Sequence, residues 1–140
     1  MCSSDLTTEG HTLFIEPYYD SDEMMQIPGR VDIIRRMPDF RDYIYPAYRE
    51  LLEVSDRVVI SGTAILDHTV AQVTELAKEL KKDVILWGPD VPITPILSQF
   101  GVTEICGFVV DEVYDCMMFA RAAMNRDRFL PSGHFAGLHL

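Results

Sequence analysis

The sequence predicts an α/β fold: a three-layer, Rossmann-like domain of about five mostly parallel strands with helices on both faces. Short apolar runs of strand length alternate with helical patterns four times along the chain, which is typical of parallel sheets with right-handed crossovers. The run DRVVISG has an unbroken apolar centre, as in a strand that is buried on both faces. The chain has 140 residues, a length that favours one domain with a sizeable core.

The predicted strands are short apolar runs bounded by glycine, proline or charged residues. Glycine and proline interrupt regular structure and so mark the ends of such runs. The strands are predicted near residues 12–16, 31–35, 57–61, 83–87 and 104–109.

Three segments carry apolar residues at helical spacing, and they predict helices near residues 45–54, 69–80 and 112–124. A further short helix is predicted to end at Gly101. Thr69 and Gln72 have the spacing of a capping box, in which the two side chains satisfy free backbone N–H groups at a helix start. We expect nearly complete burial of six apolar residues on the central strands and the second helix: Val59, Ile60, Val73, Leu76, Ile85 and Leu86.

The two ends of the chain look different from its centre. The opening MCSSDL does not resemble a folded start, and we expect residues 1–10 to be disordered or an assembly artefact, with the natural protein beginning further upstream. Residues 11–124 are predicted to form the Rossmann-like domain. Residues 125–140 show no clear periodicity, so an irregular tail is expected there.

Composition limits the classes of partner. The net charge of −10 argues against nucleic acid and against an anionic membrane surface, because both repel an acidic protein. No apolar run approaches the ~20 residues that a membrane span needs. Three widely spaced cysteines without a CxxC motif predict a reducing, cytoplasmic setting in which Cys106 and Cys116 are inert core thiols.

Two loops are the candidate ligand site, because ligands of doubly wound folds bind at the carboxyl ends of the strands. One loop runs from Ser61 to Thr69 and the other from Trp87 to Pro95, and neither carries a phosphate-binding fingerprint. Tight turns that serve only the fold are the alternative. We expect a pocket lined by residues 61–69 and 88–95, with Glu16 or Tyr18 on the facing side. The predicted ligand-binding residues are Ser61, Gly62, Thr63, Asp67, Thr69, Gly88, Pro89, Asp90 and Thr94.

Other polar residues offer weaker candidates. His68 lies beside Asp67 at a predicted helix start, and His134 and His139 are five residues apart in the tail. Asp20, Asp22 and Glu23 carry the hard oxygen ligands that cations such as Ca²⁺ prefer. Surface or solvated roles are the ordinary interpretation of all these residues. We find no Ser–His–Asp order and no nucleophile elbow in the sequence.

The two candidate loops also carry a family resemblance. The segments DRVVISGTAILDHTVAQVTELAK and DVILWGPDVPITPILSQFGVTEICGFVVDE resemble the Rossmann-like domain family named "putative heavy-metal chelation". The shared pattern is a strand ending in Ser61-Gly62-Thr63, a helix opening at Thr69, and a strand ending in Gly88-Pro89 with Pro92. The resemblance implies a heavy-metal ion or a metal complex as the bound cofactor.

In that family an enolase-N-terminal-like domain usually precedes this one. The resemblance therefore implies a missing N-terminal domain in the full-length protein.

Two functions from different classes remain open. The first is a small-ligand binding module that holds a heavy metal, a metal complex or a small anion at the carboxyl edge of the sheet. The second is a fragment of an enzyme that uses a nucleotide-type cofactor, with its catalytic groups on a missing upstream domain. The sequence does not name the cofactor, and it leaves a homodimer open.

Overall fold

A computed structural model describes residues 10–18, 21–122 and 126–140. Its strands form one sheet in the order β2-β1-β3-β4-β5-β6. Neighbours are parallel from β2 to β5, and β6 runs antiparallel to β5. The predicted mostly parallel α/β fold is confirmed. The strands are β1 His11–Ile15, β2 Arg30–Ile34, β3 Arg57–Ile60, β4 Asp83–Gly88, β5 Glu104–Val110 and β6 Gly133–His139.

The helices follow the predicted pattern, with short additions. Those predicted near residues 45–54 and 69–80 are present, the first beginning with a 3₁₀ turn over Tyr45–Ala47. The third is present up to residue 121, and residues 123 and 124 of that prediction lie outside the described part. The short helices that follow β3 and α5 were not predicted. The α-helices are α1 Ser21–Met24, α2 Tyr48–Val54, α3 Thr63–Leu66, α4 Thr69–Glu79, α5 Val113–Arg121 and α6 Arg126–Phe129, with further 3₁₀ turns at Pro95–Phe100 and Leu130–Ser132.

The core lies on both faces of the sheet because successive strand residues point to opposite sides. Ile60 belongs to the larger cluster, which includes residues of α2 and α4. Its neighbour Val59 belongs to a second cluster with Met24 of α1 and Trp87 of β4. Burial on both faces explains the unbroken apolar centre of β3.

Five of the six predicted core residues are buried as expected, and Leu76 is not. Helix α4 turns Val73 and Ala77 toward the sheet, one above the other at the helical spacing of four. Leu76 lies at the edge of that stripe, half-buried, where it borders a surface groove together with Tyr48. Leu76 still packs against the larger core cluster, so the predicted face of α4 is the one that meets the core and only the extent of burial at Leu76 differs.

The predicted irregular tail is wrong for residues 133–139, which form the edge strand β6. This strand pairs with β5 over its whole length, from Gly133 opposite Val110 to His139 opposite Glu104. The ring of Phe135 stacks on Trp87 with centroids 5.5 Å apart. Pairing and ring contacts with distant residues hold this strand, which explains why local periodicity gave no signal.

The capping box is also absent. Helix α4 begins after His68, which has left-handed backbone angles and makes no side-chain capping bond. The Thr69 hydroxyl donates instead to the carbonyl oxygen of Ala64, at 3.2 Å. Because the unpredicted helix α3 immediately precedes α4, this hydroxyl has a carbonyl acceptor close by.

The cysteines depart in part from the expectation of inert core thiols. Cys106 is fully buried but disulfide-bonded, and Cys116 is free and half-buried. Within the described residues, every helix is too short or too polar to cross a membrane.

Candidate functional site

The strand order reverses direction between β1 and β3. From β1 the chain moves outward to β2 and then returns to the other side of β1 at β3. Such a reversal opens a crevice at the carboxyl ends of the two strands, where ligands of this fold class bind. The backbone N–H of Ser61 donates to the carbonyl oxygen of Ile15 at 3.2 Å. Glu16 and Ser61 therefore adjoin each other at the mouth of the crevice.

Glu16 ties two strand ends together in an unusual conformation. Its φ angle is +49°, in the left-handed region that residues other than glycine seldom adopt and that clusters at functional sites. Its N–H donates to the carbonyl oxygen of Ile34 at 2.9 Å, and its carboxylate accepts the N–H of Arg36. Two hydrogen bonds, one from its backbone N–H and one to its carboxylate, therefore hold Glu16 in place at the switch point.

A cleft of about 300 Å³ lies beside Glu16. The Arg36 guanidinium forms an ion pair with Asp67 across it. The Arg35 Nε lies 3.0 Å from an oxygen of Asp42, whose side chain is fully buried. The cleft therefore combines two guanidinium groups with carboxylates that largely balance them. Its walls are formed by Glu16, Arg35, Arg36, Met37, Thr63 and Asp67.

The hydroxyl of Ser61 is buried at the same edge, with the residue 4% exposed. Among the described residues it has no hydrogen-bond partner. Buried polar groups in folded proteins are almost always paired, so an orphaned hydroxyl calls for an explanation. A ligand or a bound water at the switch point would provide the missing partner.

Gly62 and Gly88 both make room for Asp90. A Cβ added to Gly62 would lie 2.6 Å from the Asp90 carboxyl carbon, and one added to Gly88 would lie 2.8 Å from its oxygen. The Thr63 hydroxyl donates to the other oxygen of Asp90 at 3.0 Å. The backbone at Gly62 therefore approaches the second loop closely, and the neighbour is Asp90 rather than helix α4.

The remaining predicted contacts are spread around this edge. The carbonyl of Thr69 accepts a hydrogen bond from the Tyr45 hydroxyl at 2.8 Å, and burial raises the pKa of this phenol. Thr94 precedes the 3₁₀ turn at Pro95–Phe100, and Pro89 is half-buried. Of the predicted site residues, Thr63 and Asp67 reach the cleft, and they share it with Glu16.

The histidine pair in the tail does not form a joint site. His134 lies 2.8 Å from Asp111 and His139 lies 3.9 Å from Glu104. An odd spacing on a strand places the two rings on opposite faces. Across the described part of the chain, no three His, Cys, Asp or Glu side chains are grouped so that they could hold a metal ion. Asp20 lies outside that part.

Arg35 and Arg36 were missed from the sequence. The run VDIIRR was interpreted only as a strand, yet two cationic residues directly after a buried strand are a usable signal. Once β2 is placed beside β1, these residues must lie at the carboxyl edge of the sheet.

The fold and this edge define a doubly wound α/β domain with a switch point between its first and third strands. The chain belongs to the DUF364 family, described as "Putative heavy-metal chelation", whose profile matches residues 18–135. No curated protein matches the chain.

Two solved structures show the same fold. One is a DUF364 protein of unknown function from Desulfitobacterium hafniense, with a TM-score of 0.82 and 20% identity; the match covers 99% of this chain and 56% of that one. The other is a DUF364 protein of unknown function from Pyrococcus horikoshii, with a TM-score of 0.79 and 16% identity, covering 93% and 54%. The chain thus spans little more than half the length of these proteins.

The described residues at the switch point do not fit a bare heavy-metal ion. Soft metals prefer thiolate and imidazole ligands, whereas the cleft offers guanidinium groups, a hydroxyl and carboxylates. Three carboxylates are already engaged: Glu16 by the N–H of Arg36, Asp67 by the Arg36 side chain and Asp90 by Thr63. Asp42 pairs with Arg35 through one oxygen, and its other oxygen is buried without a partner among the described residues. The donor set is better suited to an anion.

Proposed function

We propose that this domain binds a small oxyanion, a carboxylate or a phosphate, in the crevice between the carboxyl ends of β1 and β3. The observation that carries the proposal is the buried, unpartnered hydroxyl of Ser61. Leaving such a group unpaired costs about 1–3 kcal/mol. An oxygen of the bound anion would accept a hydrogen bond from this hydroxyl and recover that free energy.

Arg36 supplies the charge that an anion needs. Its side chain is 65% exposed in its pair with Asp67, and exposed ion pairs contribute only about 0–1 kcal/mol. A ligand carboxylate or phosphate can therefore replace Asp67 at little cost and gain a two-pronged contact with the guanidinium. Thr63, at the same cleft, adds a hydroxyl donor.

The second loop shapes the site in this proposal. Gly62 and Gly88 let Asp90 fill the space between the loops, so the anion is confined to the β1 side of Thr63. Ligand contacts at Thr69, Pro89 and Thr94 remain predictions.

The oxyanion can arrive free or as the chelating group of a metal complex. Both sources offer the same carboxylate or phosphate oxygens, and the second would connect this site to the description of the family. The two sources differ in whether binding requires the metal.

Thermal unfolding distinguishes these sources. The chain would be heated with phosphate, with citrate, with Ni²⁺ and with nickel citrate. Nucleotides and S-adenosylmethionine would test the enzyme alternative. A bound anion at about 100 times its Kd adds ~2.7 kcal/mol of stability. Stabilisation by nickel citrate but not by citrate would identify the metal complex as the ligand. Stabilisation by Ni²⁺ alone, or by none of the additives, would exclude an oxyanion site.

Two variants and their matched controls locate the site. Ser61→Ala and Arg36→Gln should each weaken anion binding about tenfold or more. Arg30→Gln should not, because Arg30 is an equally exposed arginine paired with Asp32 at the opposite end of the sheet. Ser55→Ala removes a buried hydroxyl that is bonded to the carbonyl oxygen of Leu52, at 3.3 Å, and should cost about 1 kcal/mol without affecting binding.

A further inference from the structure

The cleft beside Glu16 carries positive and negative side chains in equal number. Arg35 and Arg36 supply two guanidinium groups, and Glu16 and Asp67 supply two carboxylates. The proposed oxyanion would pair with Arg36 and take the place that Asp67 now occupies. Glu16 and Asp67 would then present two negative charges in the same cleft as the anion, and like charges at short range repel each other. A ligand that also carries a positive group keeps the cleft balanced.

Glu16 has an oxygen available for such a positive group. Its Oε1 accepts the N–H of Arg36, whereas its Oε2 accepts no hydrogen bond from any of the described residues. Glu16 is half-buried and lines the cleft, so a small ligand can reach it. A hydrogen bond between a carboxylate and an ammonium is charge-assisted and about twice as strong as one between neutral groups.

The two arginines differ in how firmly the protein holds them. The Nε of Arg35 lies 3.0 Å from Asp42, and its Nη1 donates to the carbonyl oxygen of Pro17 at 3.4 Å. The side chain of Arg36 is 65% exposed and is the one that a ligand can take over. The negative end of the ligand therefore belongs at Arg36 and the positive end at Glu16.

The size of the cleft limits the ligand that joins these two ends. Its volume of about 300 Å³ is at the lower end of the range for ligand pockets. Both charged ends of the ligand must therefore lie on one small molecule.

We propose that the cleft binds a small zwitterion, an α-amino acid or an amino phosphate, whose oxyanion pairs with Arg36 and whose ammonium pairs with Glu16. This inference rests on the proposed oxyanion site and names the class of molecule that fills it. An ammonium has three N–H donors, so Asp67, once replaced at Arg36, can accept a second one. A plain anion would leave both of these carboxylates without a positive partner.

Two matched series of ligands test the charge requirement, with Kd measured by NMR titration of the backbone amides. The first compares alanine with propionate, which lacks the ammonium, and with ethylamine, which lacks the carboxylate. The second compares O-phosphoethanolamine with ethyl phosphate. In at least one series the zwitterion should bind about tenfold or more tightly than its analogues, because it gains a bond between charged groups. The series that shows this advantage identifies the oxyanion as a carboxylate or a phosphate.

Glu16→Gln tests the residue that receives the ammonium. The amide oxygen still accepts the N–H of Arg36, but the negative charge is lost. The advantage of the zwitterion over the analogue without ammonium should fall about tenfold, while that analogue binds as tightly as before or more tightly. Glu50→Gln is the matched control, since Glu50 is an exposed glutamate in the first turn of α2 and should change neither Kd. Circular dichroism checks that each variant is folded.

The outcomes separate this inference from the oxyanion site on which it rests. If propionate and ethyl phosphate bind as tightly as the two zwitterions, the zwitterion is wrong and the oxyanion site stands. An advantage that Glu16→Gln leaves unchanged also overturns the inference. If none of the five compounds binds, or if only ethylamine does, both the inference and the oxyanion site are wrong. The comparison of ligands uses the unsubstituted chain, so it decides the question even if a variant fails to fold.

Discussion

At the scale of single residues, Gly62 illustrates what a sequence pattern can and cannot indicate. A glycine where a buried strand meets a helix indicates a close approach of the backbone, and the structure has one. The neighbour is Asp90, which lies 27 residues beyond Thr63 in the chain, and no local pattern connects it to Gly62. The residue type was informative because glycine has no Cβ and so lets another part of the chain come close to the backbone. The partner depends on how β3 and β4 lie side by side.

Gly62→Ala should destabilise the protein by about 1–3 kcal/mol, the usual cost of overpacking. The new Cβ would lie 2.6 Å from the Asp90 carboxyl and 2.7 Å from its backbone carbonyl carbon, so the second loop must move. Urea unfolding measures the change. Thr63→Ala is the control, because it removes only an exposed hydrogen bond to Asp90 and should cost less. Equal losses in the two variants would show that the close approach is not what matters.

The orphaned hydroxyl of Ser61 and the left-handed backbone of Glu16 could not be predicted. Both depend on β1 and β3 being neighbours, which is a property of the strand order. The same holds for Arg35 and Arg36, whose place at the crevice follows only once β2 is set beside β1. Thr63 and Asp67 line the cleft because both lie in the segment between β3 and α4, and their role in ligand binding stays a prediction.

At the scale of elements, the sequence predicted five strands within a residue or two, because each is a compact apolar run with a clear stop. Helix α4 and the face that meets the core were predicted from periodicity, but periodicity does not show that Leu76, at the edge of that face, is only half-buried. Helix α5 was also predicted from its period. A pattern of apolar residues indicates that one face of a helix packs against another surface, but not that the same chain provides that surface.

Tyr45 connects the start of α4 to the 3₁₀ turn that precedes α2, and this contact should depend on pH. Its hydroxyl donates to the Thr69 carbonyl oxygen, and burial raises its pKa above the ordinary value of about 10. The folded phenol thus keeps its proton at a pH where the unfolded phenol loses it. The stabilisation is complete below the unfolded pKa and is lost as pH rises through that value toward the folded pKa.

Urea unfolding of the protein and of Tyr45→Phe between about pH 8 and pH 11 measures this effect. The variant should be about 1 kcal/mol less stable at the lower pH, for the lost hydrogen bond, and the difference should shrink as pH rises past about 10. Tyr43→Phe removes a more exposed phenol as the control. A difference for Tyr45→Phe that stays constant across this range would contradict the assignment.

At the scale of the whole molecule, the sheet explains why the fold was predicted correctly and why residues 133–139 were wrongly predicted to be an irregular tail. Its parallel part follows from alternation of strands and helices, which the sequence displays directly. Strand β6 closes the sheet beyond β5 through pairing and ring contacts. Its sequence, GHFAGLH, contains two glycines and no regular alternation. An exposed β5 would present unpaired backbone groups on an apolar strand, which favours aggregation, so β6 completes the domain.

Phe135→Ala tests whether β6 belongs to the folded unit. Its ring stacks on Trp87, with an angle of 11° between the ring planes, and Trp87 is the single tryptophan of the chain. Removing the ring should cost about 1–3 kcal/mol, since Phe135 is only partly buried. The substitution should also shift the tryptophan emission to longer wavelength. Trp87 is only 8% exposed in the unsubstituted protein, and loss of the Phe135 ring lets water reach it. Phe40→Ala is the control, as this phenylalanine is 89% exposed and should change neither quantity. If Phe135→Ala leaves both stability and emission unchanged, β6 does not pack on the sheet in solution, and the last strand of the fold is then only a flanking segment.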